Sequence, residues 1–287
     1  MIVVRLMGGL GNQLFQYACG RALALRTGHQ LVLDPSGIFS LHPGAPRSYG
    51  LQAFRLPVRV SATAALPSLL NRVRRRLGLR MTAAPQLVQE AQTPYTPAAF
   101  PEHFTHLVLS GYWQSEKYFQ DYADLLRREL TLPADQLARL EPPLQRQVEA
   151  TSSVSLHIRR GDYVQDPGAS RILGVCPLDY YRRAVACLAE RVQAPEFFVF
   201  SDDPDWVREH LKLDFPLHLV SDGRRQPVEE LMLMAHCRHH IIANSSFSWW
   251  GAWLNPRADK LVCAPRTWFR DPAYDARDIV PESWLRC

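Results

Sequence analysis

The chain has 287 residues, 47% of them apolar, and carries a formal net charge of +5. That length and apolar content supply a large core, leave room for two domains of ordinary size and exclude a disordered chain. The small basic excess suits an anionic ligand but is common in any protein of this size, so charge alone selects no partner.

Residues 2–6 form a short β-branched strand, followed by the turn Gly8-Gly9-Leu10-Gly11, an amphipathic helix over about 12–26 and a second strand over 30–33 ending at Asp34. This is a βαβ opening. The N-terminus runs straight from strand to glycine turn, unlike a signal peptide, and no apolar run approaches the roughly 18 residues needed to span a bilayer. A cytoplasmic protein is expected, soluble or at most attached to a membrane surface. Between residues 38 and 101 a Pro- and Ala-rich stretch obscures the pattern, although Leu66, Leu69, Leu70, Val73 and Leu77 fall at helical spacing among Arg72, Arg74, Arg75, Arg76 and Arg80. Peripheral membrane contact through Arg72–Arg80 and a plain solvated face are both open readings of that helix.

Residues 133–150 are polar and proline-punctuated and read as a separator. Beyond them one unit repeats. Strands over 154–158, 197–200, 217–220 and 240–243 each lead into a polar loop and a helix, with helices starting near 177, 204, 228 and 246. Strands alternating with helices imply an α/β fold with parallel sheets covered on both faces and ligands at the carboxyl ends of the strands. Two Rossmann-like domains facing across a cleft are expected, over 1–150 and 151–287.

Four motifs carry chemistry. His157-Ile158-Arg159-Arg160-Gly161-Asp162-Tyr163 puts two guanidiniums and a carboxylate at the end of a buried strand. A nucleotide diphosphate gives those charges a purpose, because arginine presents a rigid fork of donors to phosphate oxygens and stays charged. An Arg–Asp pair tying down the loop is the competing reading, and Asp162 fits both.

The turn at Gly9, Gly11, Asn12 and Gln13 lets backbone approach a ligand at a helix N-terminus, where unpaired N–H groups favour anions. As a dinucleotide fingerprint it is incomplete, since the third small residue falls at Leu14; Asp34 nevertheless stands where a ribose-binding acid would. In Ser201-Asp202-Asp203-Pro204, Asp203 is an N-cap, leaving Asp202 to accept from guanine's ring N–H and exocyclic amine together. Asn244-Ser245-Ser246-Phe247 joins a strand end to a helix start, where hydroxyls and free N–H groups cap the helix, hold phosphate, or do both. Trp249, Trp250 and Trp253 behind it read as core.

The six cysteines contain no C-x-x-C pair and read as reduced thiols. His236, Cys237, His239 and His240 surround Arg238, which repels a cation, so they read as a helix C-terminus and no metal site is expected.

The segments VRLMGGLGNQLFQYACGRALA, LHIRRGDYV, FFVFSDDPDWV and HHIIANSSFSWWGAWLN together resemble the bacterial alpha-1,2-fucosyltransferases of glycosyltransferase family 11, in that family's order. The resemblance implies a GT-B fold, GDP-fucose as donor, inversion, no cofactor or metal requirement, and transfer to the 2-hydroxyl of a terminal β-galactoside on an oligosaccharide or lipid-linked glycan. By the same resemblance Arg159 grips the β-phosphate, His157 and Asp202 hold guanosine, Ser245 and Ser246 lie by the phosphates with Phe247 beside them, and Asn12 lies near fucose or phosphate. Arg159 and Arg160 are then the catalytic cations, with Asp162 a candidate base. The second domain would bind GDP-fucose and the first the acceptor, and no nucleic acid is expected. Two rivals remain: an NAD(P)-dependent oxidoreductase built on the opening unit, and a non-catalytic polyanion-binding protein acting through the arginine-rich helix.

Overall fold

The computed structural model describes residues 1–38, 48–62, 85–90, 94–96, 98–133, 136 and 142–287. The arginine-rich helix expected over 66–80 lies outside the described residues. The chain divides into two compact units, Met1–Gln52 with Leu56–Leu126, and Ala53–Arg55 with Arg127–Cys287. The division expected near residue 150 therefore falls earlier. The reason is the helix Pro142–Ala150, which packs on the second sheet and buries Val148 against Phe198, Phe200 and Leu233. Among its described side chains Val148 alone is buried, with Leu144 partly so, and the leading prolines and the Gln, Arg and Glu between them give the sequence the look of a linker.

Among its described residues the first unit holds five strands, β1 (Ile2–Arg5), β2 (Leu31–Asp34), β3 (Arg59–Val60), β4 (Gln86–Gln89) and β5 (Leu107–Ser110), in the order β3-β2-β1-β5-β4 with every pair parallel. Apolar β1 sits at the centre with Ile2, Val3 and Val4 fully buried, as a strand covered on both faces must be. The helix Leu10–Thr27 returns along the sheet and ends at Gly28 in the left-handed region, φ 68°. Its close approach to β1 is made at Gly20, where an added Cβ would stand 2.4 Å from Val4 Cγ2. The small residue missing at Leu14 is thus supplied further along the helix. The pairing of β5 with β1 had no sequence signature, because four residues set among proline and aromatic loops show no countable alternation.

The second unit holds β6 (Ser152–Ile158), β7 (Pro195–Ser201), β8 (Leu217–Leu219), β9 (His239–Ile241), β10 (Val262–Ala264) and β11 (Leu285–Arg286), all parallel, in the order β11-β10-β9-β6-β7-β8. Phe198 and Phe200 of β7 face one core layer, Phe197 and Val199 the other. From β6 the chain steps outward through β7 and β8, then returns to place β9 on the other side of β6. The sheet's topological switch point therefore lies between β6 and β9, the position at which doubly wound sheets bind ligands. Trp249, Trp250 and Trp253 of the helix Ser246–Leu254 are buried core, as read from the sequence, and Trp249 Nε1 donates to Ile279 O at 2.7 Å. Among the described residues no helix is long and apolar enough to cross a membrane.

Candidate active site

β6 is the longest strand of the second sheet together with β7, and residues 153–158 are buried, so the chain emerges from the core at Arg159. There the guanidinium spans two carboxylates: Nη2 to Asp162 Oδ1 at 2.6 Å and Nη1 to Asp202 Oδ2 at 2.9 Å. Burial works against its charge, and Asp202 and Asp162 outweigh burial, raising the Arg159 pKa above its ordinary value. Its carbon also lies 5.4 Å from the centre of the Tyr163 ring.

Arg160 donates its backbone N–H to Asp202 Oδ1 at 2.8 Å and its Nε to Asp203 Oδ2 at 3.0 Å, and it lies over the Trp206 ring at 4.1 Å. Asp203 caps the helix Pro204–His210 by accepting from Trp206 N, as the sequence implied, and the Arg160 hydrogen bond holds its carboxyl below the usual range. Asp202 is not a leftover carboxylate: both of its oxygens hold the Arg159–Arg160 turn. Gly161 makes room for this, because a Cβ there would stand 2.4 Å from Asp202 Oδ2.

Two guanidiniums thus meet three carboxylates. The carboxylates outnumber the guanidiniums by one, and an anion that takes Arg159 competes with Asp162 and Asp202 for it. Asp162, expected as a base, has its nearer oxygen on Arg159.

His157 lies one turn of the pleat before Arg159. It is 4% exposed, and burial, aided by Arg159, pushes its pKa down to about 3, so the imidazole is neutral at pH 7. Its Nδ1 is buried and has no hydrogen-bond partner among the described residues. The ring centre is 5.7 Å from that of Phe247, which brings β6 to the start of the helix Ser246–Leu254 across the switch point. Ser245 caps that helix, accepting from Phe247 N at 3.4 Å, and Ser246 and Phe247 in its first turn remain partly accessible.

Sequence reasoning missed the groups that fix this geometry. Asn244 is a buried clasp: its amide donates to Leu173 O, Gly174 O and Trp268 O, and its Oδ1 accepts from Cys176 Sγ. Tyr163 OH donates to Asn244 O at 3.0 Å and so ties the arginine turn to the Ser245 cap. Beside β8, Ser221 Oγ accepts from Ser201 N at 2.9 Å, and Glu230, its carboxyl raised by burial, feels Asp202 through space. An asparagine after a strand and a tyrosine after an acid are too common to signal such roles.

In the first unit the switch point lies between β1 and β5, and Gln114 Nε2 donates to Asn12 Oδ1 across it at 2.8 Å. Asn12 and Gly9 stay partly accessible. Gln13 does not: it is fully buried, donates to Gly8 O and Ser48 O, and accepts from Gly50 N. It is a scaffold residue, correcting the expectation that it touches substrate, and Gly11 is buried as well. The strained turn position is Gly8, φ 75°, a conformation that a side chain would resist. Asp34, the would-be ribose acid, is 1% exposed and accepts from Ser36 N at 3.0 Å, which removes the main support for the oxidoreductase. His236, His239 and His240 are each held by protein partners, His240 between Ser155 and Asn255, and form no metal cluster among the described residues.

A doubly wound parallel sheet that ends in an arginine clamp, a neutral histidine and a helix start has the chemical groups to hold an anionic, nucleotide-like ligand. Residues 93–286 match the family described as Glycosyl transferase family 11, and the chain belongs to that family. It is 33% identical to the alpha-1,2-colitosyltransferase of Escherichia coli over 100% of this chain and 98% of that one. It is 27% identical to the galactoside 2-alpha-L-fucosyltransferase of Caenorhabditis elegans over 89% of this chain and 69% of that protein. Its fold matches that of NodZ alpha-1,6-fucosyltransferase soaked with GDP-fucose, a Bradyrhizobium protein, with a TM-score of 0.52 at 17% identity over 89% and 92% of the two chains. The architecture is accordingly of the GT-B type, and the activity is that of a glycosyltransferase.

Proposed function

We propose that the chain transfers L-fucose, or a close 6-deoxy relative, from its GDP ester to the 2-hydroxyl of a terminal β-galactoside, with inversion and without a metal ion. The observation that carries this reading is Arg159, held between Asp162 and Asp202 at the end of β6, two residues after His157 with its buried, unpartnered Nδ1. Cleavage of the sugar–phosphate bond leaves charge on the departing diphosphate. Arg159 and the N–H groups that begin the Ser246–Leu254 helix are fixed donors able to neutralise it, and removing one such donor typically costs about 10²–10³-fold in turnover. The buried His157 nitrogen wants a partner, and a polar edge of the guanosine supplies one without requiring a charged imidazole. On this reading the second unit takes the nucleotide sugar and the first unit the acceptor.

A second donor is favoured by one specific finding, the 33% identity to a colitosyltransferase. Colitose is L-fucose lacking its 3-hydroxyl, so the two donors share every group assigned above. The test is incubation with GDP-fucose and GDP-colitose separately, with a panel of β-galactosides and excess chelator, followed by linkage analysis. A 1,2-linked product formed in chelator supports the proposal, and the preferred donor settles the sugar. Full loss of activity in chelator, or NAD binding in place of GDP binding, would overturn it.

A further inference from the structure

Three thiols that the transfer chemistry does not use converge at the far edge of the second sheet. Cys187 lies in the helix Leu178–Ala189, Cys263 at the middle of β10, and Cys287 directly after β11. Their sulfur atoms all lie within 4.8 Å of one another. The backbone holds them there: β10 pairs in parallel with β11, and Cys287 N donates to Ala264 O at 3.0 Å. All three are free cysteines. Cys263 is fully buried while Cys187 and Cys287 are half-buried, so the cluster has a closed floor and an open side.

We propose that Cys187, Cys263 and Cys287 form a binding site for one thiophilic divalent ion of the zinc class, with three sulfur ligands and a fourth position open to water. Sulfur binds zinc at about 2.3 Å, which places sulfurs around one ion roughly 4 Å apart. The observed spacing reaches that by small side-chain rotations. A disulfide draws two sulfurs to about 2.05 Å and leaves the third with no role, so it accounts for less of the arrangement. Charge also fits. Three thiolates and a divalent ion leave one negative charge, and the cations are at hand: Arg191 Nη1 donates to Cys187 Sγ at 3.3 Å and to Cys187 O at 2.6 Å, and Arg183 and Arg266 act on Cys287 through space. Histidine or carboxylate ligands would be required for a hard ion, and none belongs to the cluster. Because β9 stands between β10 and β6, the ion would pin the sheet edge to its covering helix and take no part at Arg159.

The test is anaerobic titration of the reduced 287-residue chain with Cd²⁺ against a chromophoric chelator. One ion per chain is expected, with a thiolate-to-cadmium charge-transfer band and a raised urea midpoint. Cys187→Ser, on the open side, should weaken binding by more than the roughly 10–100-fold that an outer-shell change costs, whereas Cys19→Ala in the first unit should leave it unchanged. Failure to hold cadmium against the competitor, unchanged binding in Cys187→Ser, or a Cys263–Cys287 disulfide as the resting state would each overturn the assignment.

Discussion

Replacing Arg159 by lysine separates the two duties of that side chain. The guanidinium reaches Asp162 and Asp202 at once, at 2.6 and 2.9 Å, from two different nitrogens. An ammonium is a point charge and cannot span both. Arg159→Lys should therefore lose one charge-assisted hydrogen bond, about 1.5–3 kcal/mol, while still separating the carboxylates. Arg159→Ala leaves Asp162 and Asp202 facing each other with no cation between them, and breaking a mostly buried pair in this way costs about 3–5 kcal/mol. Urea denaturation should rank stability as parent, Lys, Ala. Turnover should not follow that ranking: both variants lose the forked donor, and both should fall by about 10²-fold or more. Stability and initial rates with GDP-fucose, measured on the same preparations, make the comparison. If Arg159→Lys retains turnover within about threefold of the parent while being destabilised as stated, the side chain is a structural clamp and the phosphate role assigned to it is wrong.

The His157 imidazole titrates at about 3 in the folded chain against an ordinary 6.5, so the unfolded chain binds the extra proton between those values. Stability is then full above pH 6.5 and falls as the pH drops, by up to about 1.4 kcal/mol per unit from this group; urea midpoints from pH 7 to 5 should show a shallower slope in His157→Gln. Gly161→Ala drives a Cβ into Asp202, held by Arg159, and should lower kcat by at least about tenfold, with circular dichroism unchanged. Asn244→Ala strips three carbonyls, two of them in buried hydrogen bonds, of their donor and should cost about 2–4 kcal/mol in chemical denaturation. Gln13→Ala should destabilise the first unit while leaving KM for both substrates unaltered; a raised KM would restore it to the substrate site.

The amino-acid sequence by itself determined the features that depend on near neighbours. Apolar runs set the strands, Asp203 before Pro204 set a helix start, and the tryptophans of the Ser246–Leu254 helix declared themselves core by bulk and spacing. The placement of Arg159 at a strand end was legible for the same reason, since burial stops where β6 stops.

What it did not determine is how charges and amides are spent. Asp202 reads as a free carboxylate until β6 and β7 pair and bring it to Arg159; Gln13 reads as a ligand until Ser48 and Gly50 close around it. The helix Pro142–Ala150 reads as a linker until Val148 finds Phe198, and three scattered cysteines become a cluster only when β10, β11 and one helix converge. Hydrogen bonds and ion pairs act over about 3 Å, so their partners are chosen by strand order and helix packing, which join residues remote along the chain.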